Sequence, residues 1–475
     1  MNAFYDRQHE MSELTRAWEQ GSTELRLLYG RRRVGKTCLL QHFFSDNRPH
    51  CYFLASAMTA TNNLERLAQS LINSSTKKRK LKPSNLSSFW SILQFYGEMA
   101  RDRRFALVLD EFQYLVEADP SIPSQIQAWW DDTISTQSQA YIVLCGSHIG
   151  MMEALTRSSQ PLYARFTSRT RLQPMTYYNS TLFYSDSNWS VRDKLTAYGV
   201  LGGTPKYHAA FTPKEDLASN IISQVLSPDG LLHSEPEVAI SSSSIRDTAL
   251  YNSILQIVAS GETQKSRIEQ KAGVTSSQFI YCIQTLMELE WIRKERPFGD
   301  DSPKRTIYTI SDHFIHFWYR FVKALEGELE FGITADVYKS RVRPYINDYM
   351  GRYVFEDICM QYLKKNAASK HGLQIRNAGR YWNRDGSVEI DIVAELSDKE
   401  ILACECKWSS SPVGVGVYYD LMNKKALLPP PMCTQAAHYA IFSMAGFDEK
   451  IIETAKRDNL ILITGDDLLD IEDDK

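Results

Sequence analysis

The chain lacks the features that would place it in a membrane or on a secretory route. Its 475 residues contain no apolar run close to the ~20 residues that a membrane-spanning helix needs. The first residues, from Met1 to Arg7, have neither the charged nor the apolar region of a signal peptide. These two absences predict a cytoplasmic protein with no membrane partner.

Paired cysteines and excess positive charge are also missing. The eight cysteines are scattered, and the close pair Cys404 and Cys406 lacks the C-x-x-C spacing of a zinc or redox site. We therefore expect reduced, mostly buried thiols. A net charge of −3 and a pI near 6.4 give no global attraction for nucleic acid, so any DNA contact must come from a local patch. The length predicts about three or four domains.

The strongest motif is a glycine loop that fits the pattern G-x-x-x-x-G-K-[ST]. Residues 24–29 before it predict a buried parallel strand, and residues 38–44 after it predict a helix whose N-terminus faces a bound anion. In such a loop Lys36 reaches the β- and γ-phosphates of ATP, and the Thr37 hydroxyl ligates Mg²⁺. These flanks favour an ATP site over a glycine turn that matches by chance. The predicted nucleotide-binding residues are Gly30, Arg31, Arg32, Arg33, Val34, Gly35, Lys36, Thr37 and Cys38.

A second part of a nucleotide site is predicted at residues 105–111, an apolar strand that ends in two acids. Asp110 would hold the Mg²⁺ water shell, and Glu111 would polarise the attacking water. Such a pair can also cap a helix, but the upstream glycine loop favours the catalytic interpretation. Another strand, over residues 141–145, leads to Ser147 at the sheet edge where ligands of open α/β sheets bind. This serine either bonds the γ-phosphate or the water, or is a plain turn residue.

The middle of the chain predicts helices and one hairpin. Residues 190–235 are typical of a small helical lid, and the serine run 241–244 is typical of a linker. Helical spacing over residues 250–288, followed by a hairpin over residues 291–310, predicts three helices plus a wing. A winged helix docks on DNA or on proteins. The hairpin cations favour DNA, and they are Arg293, Lys294, Arg296, Lys304 and Arg305.

The last part of the chain carries a second group of charged residues. Residues 388–394 predict an alternating strand, and residues 400–408 predict its hairpin partner. Pairing of these strands brings Asp391 beside Glu405 and Lys407, which share one side of their strand. Two close carboxylates repel each other unless a divalent cation lies between them, and such a cation is what Mg²⁺-dependent phosphodiester hydrolysis needs.

Roles for the other groups of this predicted site remain open. Lys407 would position or deprotonate the attacking water, or stabilise charge on the phosphate. Glu356, on a predicted helix, would approach the metal or is an ordinary surface carboxylate. The hairpin itself is a metal site, an amphipathic surface hairpin, or part of a nuclease fold that has lost its activity.

The order of these motifs resembles the AAA+ ATPases, in particular a prokaryotic, largely archaeal family that joins an ATPase to a winged helix and a restriction-endonuclease-like domain. The resemblance covers nearly the whole chain. Its C-terminal part resembles the PD-(D/E)xK nucleases, with Ile390 in place of the proline before the first acid. Besides the glycine loop and the C-terminal acids, the resembling segments are Phe4 to Arg7 with Glu10, 109–113, 146–147, 161–165, 201–207 and 312–321.

The resemblance implies an α/β fold in four domains. These are a P-loop AAA+ ATPase core over 1–180, a helical lid over 181–238, a winged helix over 245–325 and a nuclease-like α/β domain over 335–475. It also implies a phosphate-sensing or finger role for Arg165, although Ala164 stands where the family usually has glycine.

The implied cofactors are ATP and Mg²⁺, and the implied partner is DNA, with a homo-oligomer or a protein partner as alternatives. The expected activity is ATP hydrolysis that controls DNA cleavage, and the alternative is an ATP-dependent switch that binds without cleaving. The implied catalytic residues are Lys36, Glu111, Asp391, Glu405 and Lys407, and the implied metal ligands are Thr37, Asp110, Glu356, Asp391 and Glu405.

Overall fold

The computed structural model describes residues 4–75, 82–134, 139–241, 247–300 and 302–470. Most of the serine run predicted as a linker lies outside these ranges. The chain divides into two compact units, which we call the N-terminal unit and the C-terminal unit. The N-terminal unit comprises Met1–Met175 and Thr204–Lys206, and the C-terminal unit comprises Thr176–Gly203 and Tyr207–Lys475.

The N-terminal unit is built on one parallel sheet. Its strands are β1 (Glu24–Tyr29), β2 (His50–Leu54), β3 (Phe105–Asp110), β4 (Ala140–Gly146) and β5 (Ser168–Arg171). They pair in the order β2-β3-β4-β1-β5. The helices are α1 (Gln8–Gln20), α2 (Lys36–Phe43), α3 (Ala60–Ser74), α4 (Phe89–Asp102), α5 (Gln113–Ala118), α6 (Ile122–Ile134) and α7 (Ile149–Ala154).

Apolar residues on both faces of the central strands bury this sheet between two layers. In β3, Leu107 belongs to a hydrophobic cluster on one face, whereas Val108 belongs to a cluster on the other face. Strands buried on both faces read as continuous apolar runs, which is why the sequence predicts β1, β3 and β4 but not β2 or β5. The strand order places the carboxyl ends of β1, β3 and β4 side by side.

The C-terminal unit begins with helices and ends with a mixed sheet. Its early helices are α8 (Tyr177–Thr181), α9 (Val191–Leu201), α10 (Pro205–His208, shared with the N-terminal unit), α11 (Leu217–Asn220), α12 (Glu235–Ser241), α13 (Thr248–Ala259), α14 (Lys265–Ala272) and α15 (Ser276–Glu288). The antiparallel hairpin of β6 (Ile292–Glu295) and β7 (Ile307–Ile310) follows, as the sequence predicts. After it come α16 (His313–Phe317), α17 (Glu326–Glu330), α18 (Thr334–Val337), α19 (Ile346–Tyr349) and α20 (Phe355–His371).

The mixed sheet has the order β12-β11-β10-β9-β8. Neighbouring strands from β8 to β10 are antiparallel, and those from β10 to β12 are parallel. Its elements are β8 (Ile375–Trp382), β9 (Glu389–Leu396), β10 (Ile401–Lys407), α21 (Gly416–Ala426), β11 (Ala437–Ser443), α22 (Glu449–Asp458) and β12 (Ile461–Thr464).

One hydrophobic cluster runs through the C-terminal unit, from Tyr177 near its start to Leu468 near its end. The buried Tyr349 hydroxyl contributes to the same core, because it lies 2.9 Å from the carbonyl oxygens of both Gly199 and His313. The segments that the sequence predicts as lid, winged helix and C-terminal domain therefore share a core. Across the described ranges, no helix is long and apolar enough to cross a bilayer.

Because the His208 ring is buried, we expect the C-terminal unit to lose stability in acid. Its ring lies 2.8 Å from the Tyr184 hydroxyl and 2.6 Å from the Gly202 carbonyl, and burial lowers its pKa to about 4. The unfolded chain, with a histidine pKa of ~6.5, takes up the proton first. The stabilising contribution is therefore complete above pH ~6.5 and is lost as the pH falls through the folded-state value. We expect His208→Gln to flatten the pH dependence of the thermal midpoint over this range, and parallel curves for both proteins would contradict the assignment.

Candidate active site

The glycine loop joins β1 to α2 at the carboxyl edge of the N-terminal sheet. Gly30 has a φ of 155° and Gly35 a φ of 102°, and a Cβ on Gly30 would lie 2.4 Å from the carbonyl oxygen of Leu172. Only glycine fits that approach. The predicted order of strand, loop and helix is confirmed, with the helix beginning at Lys36, two residues earlier than predicted.

Lys36 lies inside the curl of this loop. Its Nζ donates to the carbonyl oxygens of Gly30 at 2.8 Å and of Arg31 at 2.9 Å, and the residue is 6% exposed. Burial lowers its pKa, and the nearby acids Asp110 and Glu111 oppose that shift. The ammonium group therefore lies at the position where the phosphates of a nucleotide bind in loops of this kind.

Asp110 ends β3 and is almost completely buried. Its Oδ2 accepts a hydrogen bond from the Thr37 hydroxyl at 3.0 Å and another from the Tyr52 hydroxyl, while its Oδ1 accepts from the Glu111 backbone N–H at 2.9 Å. A hydroxyl and a carboxylate in this arrangement are the residues that would hold Mg²⁺. Burial and the charge of Asp110 raise the pKa of Tyr52 well above its usual value.

The sequence analysis missed Tyr52, which lies on β2. Leu54 of β2 pairs with Asp110, and alternation along the strand puts Tyr52 on the same face as Leu54. Recognition of β2 as the neighbour of β3 is the signal that would have found this tyrosine.

Glu111 is held by side chains from two elements. The Ser147 hydroxyl donates to its Oε2 at 2.7 Å, and the Gln113 amide donates to the same oxygen. The Gln113 Nε2 also lies 3.3 Å from the Ser147 Oγ. The sequence left open whether Ser147 belongs to the nucleotide site or is a plain turn residue. Its hydrogen bond supports a place in the site, although the partner in this structure is the carboxylate of Glu111. Gln113 was missed.

The arginine that the resemblance assigns to phosphate sensing is bonded elsewhere. The guanidinium of Arg165 donates to the two carboxylate oxygens of Asp131 at 2.9 and 2.8 Å and to the Pro161 carbonyl at 3.1 Å. Ala164 has a φ of 59°, in the left-handed region that favours the family's glycine. In this structure Arg165 is therefore a partner of Asp131, and its phosphate-sensing role is not supported here.

Arg7 supports the loop from the N-terminal segment, a role that the sequence analysis did not assign. It is buried, and its guanidinium donates to the carbonyl oxygens of Val34 at 3.3 Å and Gln173 at 2.7 Å. Glu10 pairs with it at 3.3 Å. The N-terminal segment from Phe4 to Arg7, together with Glu10, thus holds the glycine loop in place.

Removal of the Ser147 hydroxyl should slow ATP hydrolysis without preventing ATP binding. Ser147→Ala leaves Glu111 with the Gln113 amide alone, so the carboxylate is less well oriented toward water. General-base catalysis contributes ~10²–10⁴-fold, and we expect this variant to lose roughly tenfold of it. Phosphate release and nucleotide affinity should be measured together, and an equal loss in both would indicate a folding defect instead.

A second site lies on the C-terminal sheet. Cys404 pairs with Ile392, so the next opposed positions along the antiparallel strands are Asp391 and Glu405. Asp391 Oδ2 accepts a hydrogen bond from the Cys406 backbone N–H at 2.7 Å. Burial, and then the charge of Glu405, raise the pKa of Asp391 to about 6. The structure thus places these two acids at adjacent positions of neighbouring strands, as the strand alternation predicts.

Two lysines face Glu405. Lys407 Nζ lies 2.6 Å from Oε1, and Lys424 Nζ lies 3.2 Å from each of the two carboxylate oxygens. Burial lowers the pKa of Lys407, but the attraction of Glu405 outweighs it and the pKa is raised. The sequence predicts Lys407, whereas Lys424 was missed because it comes from α21 and no motif spacing connects it to the strand.

Glu356, the third acid predicted for this metal site, is paired with an arginine in this structure. Its Oε2 lies 2.7 Å from Arg380 Nε, within ion-pair distance. Burial raises its pKa well above the usual value, against the effect of Arg380 and with a further contribution from Asp391. In the ranges that the structure describes, no three His, Cys, Asp or Glu side chains gather as a metal-binding group. The remaining donors, Asp391 and Glu405, fit Mg²⁺, which commonly takes one or two carboxylates with waters and a substrate phosphate.

Two of the five cations that the sequence assigns to DNA on the β6–β7 hairpin are paired with acids of the protein. Arg293 is bonded to both carboxylate oxygens of Asp357 at 3.1 and 3.2 Å, and Arg305 is bonded to Asp300 at 2.8 Å. The Phe298 N–H also donates to the Arg380 carbonyl at 2.7 Å, so the hairpin turn is attached to β8. The sequence gives the number of hairpin cations, but it does not show which carboxylates they pair with in the fold. The hairpin cations that stay exposed are Lys294, Arg296 and Lys304.

The fold and the glycine-loop geometry define the N-terminal unit as a P-loop ATPase domain. Residues 4–211 match a family described as an ATPase domain predominantly from Archaea. Residues 318–417, which include Asp391 and Glu405, match a family of archaeal and bacterial proteins of unknown function. The chain therefore carries an ATPase domain of the archaeal type, joined to a segment whose family gives no activity.

Two archaeal proteins illustrate the extent of the similarity. An uncharacterized protein of Methanocaldococcus jannaschii is 27% identical over 434 residues, which is 90% of this chain and 92% of that protein. The solved structure of a Walker-type ATPase of Pyrococcus abyssi has a TM-score of 0.51 and 21% identity, and covers 67% of this chain and 96% of that chain. At that identity the structural match supports the fold alone.

Proposed function

We propose that the chain binds and hydrolyses ATP at the glycine loop and that its nucleotide state controls a DNA-directed C-terminal unit. The observation that carries the ATPase part is the meeting of Lys36, Thr37, Asp110, Glu111 and Ser147 at neighbouring strand ends. Hydrolysis of a phosphoanhydride requires a cation at the phosphates, ligands for Mg²⁺ and a group that activates water, and these residues would supply them.

The residues divide the work of hydrolysis. Lys36 would exchange its two carbonyl partners for the β- and γ-phosphates, and Thr37 and Asp110 would hold Mg²⁺, which when bound neutralises charge on the phosphates. Glu111, oriented by Ser147 and Gln113, would accept a proton from the attacking water or orient it. The buried Tyr52 hydroxyl would fix the rotamer of Asp110 through its hydrogen bond.

For the C-terminal unit we propose metal-dependent hydrolysis of DNA phosphodiesters. The observation in favour is the opposition of Asp391 and Glu405 on neighbouring strands with Lys407 beside them. The carboxylates would hold Mg²⁺, which when bound would polarise the scissile phosphate and activate the attacking water. Lys407 would stabilise charge on the phosphate or position the water.

The second candidate is an ATP-dependent switch that binds DNA or a protein without cleaving it. The ion pairs of Glu356 with Arg380 and of Arg293 with Asp357 favour it, because they occupy charges that a nuclease would use. Incubation of plasmid DNA with the purified protein and Mg²⁺ or Mn²⁺, with and without ATP, separates the two. Nicked or linear plasmid supports the nuclease, and intact plasmid under every condition supports the switch.

Glu111→Gln tests the ATPase part. The amide keeps the size of the side chain and can still bond Ser147, but it cannot take a proton from water. We expect nucleotide affinity to stay within a few-fold of wild type and phosphate release to fall by ~10²-fold or more. Release is measured with a coupled phosphate assay in excess ATP. A variant that turns over like wild type would show that another residue acts as the base.

A further inference from the structure

We propose that Lys424 is a phosphate-contacting residue of the C-terminal site, and that it binds the backbone of DNA held over Asp391 and Glu405. This inference rests on the proposed DNA-directed function. It adds a residue from α21 to a site that the sequence builds only from β9 and β10. Residue 424 also lies outside the matched family segment, which ends at residue 417.

The first observation is that two lysine ammonium groups lie beside one carboxylate. Glu405 has a side chain that is only 6% exposed, and it carries Lys407 at 2.6 Å as well as Lys424 at 3.2 Å. One ammonium group is enough to neutralise one carboxylate. The place of the second lysine therefore has to be explained from the charges of the whole site and not from Glu405 alone.

The charge balance of the site supplies that explanation. Two carboxylates, Asp391 and Glu405, and two ammonium groups, Lys407 and Lys424, sum to zero in the arrangement seen. A divalent cation on the carboxylates would raise the total to +2 and would weaken the hold of Glu405 on both lysines. A DNA phosphate with its single negative charge is the kind of ligand that such a site attracts.

The second observation is access. The Lys424 side chain is 31% exposed and lies in the last turn of α21, so its amine reaches both the buried carboxylate and solvent. Its neighbour Lys425 behaves differently, because it is buried and donates to the carbonyl oxygens of Cys433 at 3.2 Å and Gln435 at 2.5 Å. Lys425 holds the chain that follows the helix, whereas Lys424 is directed into the site.

A purely structural role for Lys424 makes different predictions. A lysine near a helix C-terminus interacts favourably with the helix dipole and so stabilises the helix slightly. Such a role would change the thermal midpoint slightly and would not change how DNA binding depends on salt. The number of phosphate contacts does set that dependence, with a slope of about 0.9 per contact in a plot of log affinity against log salt.

The test is a salt titration of DNA binding by the full chain. Fluorescently labelled duplex DNA is titrated with wild type, Lys424→Ala and Lys424→Arg in CaCl₂, and affinity is read by anisotropy at several KCl concentrations. Lys450→Ala, at an exposed lysine of α22 in the same unit, is the matched control. We expect Lys424→Ala to bind several-fold more weakly with a slope smaller by about 0.9, while Lys424→Arg and Lys450→Ala keep the wild-type slope.

Each outcome decides the inference. A Lys424→Ala slope equal to wild type, or an equal loss in Lys450→Ala, overturns it. A wild type that binds DNA but never cuts it rejects cleavage in the proposed function and leaves the role of Lys424 to be decided by the slopes. A wild type that binds no DNA rejects both the DNA-directed function and this inference. Thermal unfolding of Lys424→Ala is recorded alongside, and Lys424→Gln, which keeps most of the side-chain length without the charge, supplies the answer if the alanine variant is unfolded.

Discussion

Lys36→Ala should lose ATP hydrolysis and most of its ATP affinity. In the structure this ammonium group is buried and bonded only to loop carbonyls among the contacts described, so it is free to exchange them for phosphates at little cost in reorganisation. Removal of a preorganised charge of this kind costs ~3 kcal/mol or more of transition-state stabilisation, which is ~10²-fold in rate. Phosphate release and binding of a fluorescent ATP analogue should both be measured.

A matched control is Lys339→Ala, at an exposed lysine of the C-terminal unit that pairs with Asp336. This substitution removes the same side chain from a surface position, and it should leave both activities unchanged. The thermal midpoint of Lys36→Ala should also stay near that of wild type, because its charge-free side chain still fits the loop. Wild-type turnover in Lys36→Ala would show that the glycine loop is not the nucleotide site.

The second large effect concerns the C-terminal site. Asp391→Ala, Glu405→Ala and Lys407→Ala should each abolish DNA cleavage while ATP turnover stays intact, because the two sites lie in different units. Each acid would be a metal ligand, and Lys407 would position the water or stabilise charge on the phosphate. The loss of any one should cost roughly 3 kcal/mol or more of transition-state stabilisation. Because the groups act together, the double variant Asp391→Ala with Glu405→Ala should be no worse than either single variant.

Stability provides the internal control for these variants. Burial and the charge of Glu405 raise the pKa of Asp391, so its ionised form is disfavoured in the metal-free protein. Replacement of Asp391 should therefore not lower the thermal midpoint at neutral pH. Replacement of Lys407 still leaves the Glu405 carboxylate paired with Lys424. Cleavage that survives in all of the variants would eliminate this site, and a variant that loses ATP turnover as well would indicate misfolding.

The nucleotide site was predictable because its signals are local. Gly30, Gly35 and Lys36 occur at fixed spacing, and the apolar runs before Gly30 and up to Asp110 are those of strands buried on both faces. The sequence therefore places the loop and the acids correctly. It does not reveal Tyr52 or Arg7, which reach Asp110 and the loop only through the strand order and the return of the N-terminal segment.

The C-terminal unit was predictable in its strands but less so in its contacts. Period-2 alternation gives the pairing of Asp391 with Glu405, because register follows from which face is buried. The partners of charged groups depend on long-range packing, so the sequence could not show that Arg380 takes Glu356 or that Asp357 takes Arg293. Lys424 was invisible for the same reason.

The most direct test of the central claim is the identity of the nucleotide that the protein retains. Wild type and Glu111→Gln are mixed with ATP and Mg²⁺, separated from free nucleotide, denatured, and the released nucleotide is identified by chromatography. The account predicts ADP from wild type and ATP from Glu111→Gln, because the variant keeps the binding loop and loses the group that activates water. No bound nucleotide in either protein, or ADP from both, would contradict it.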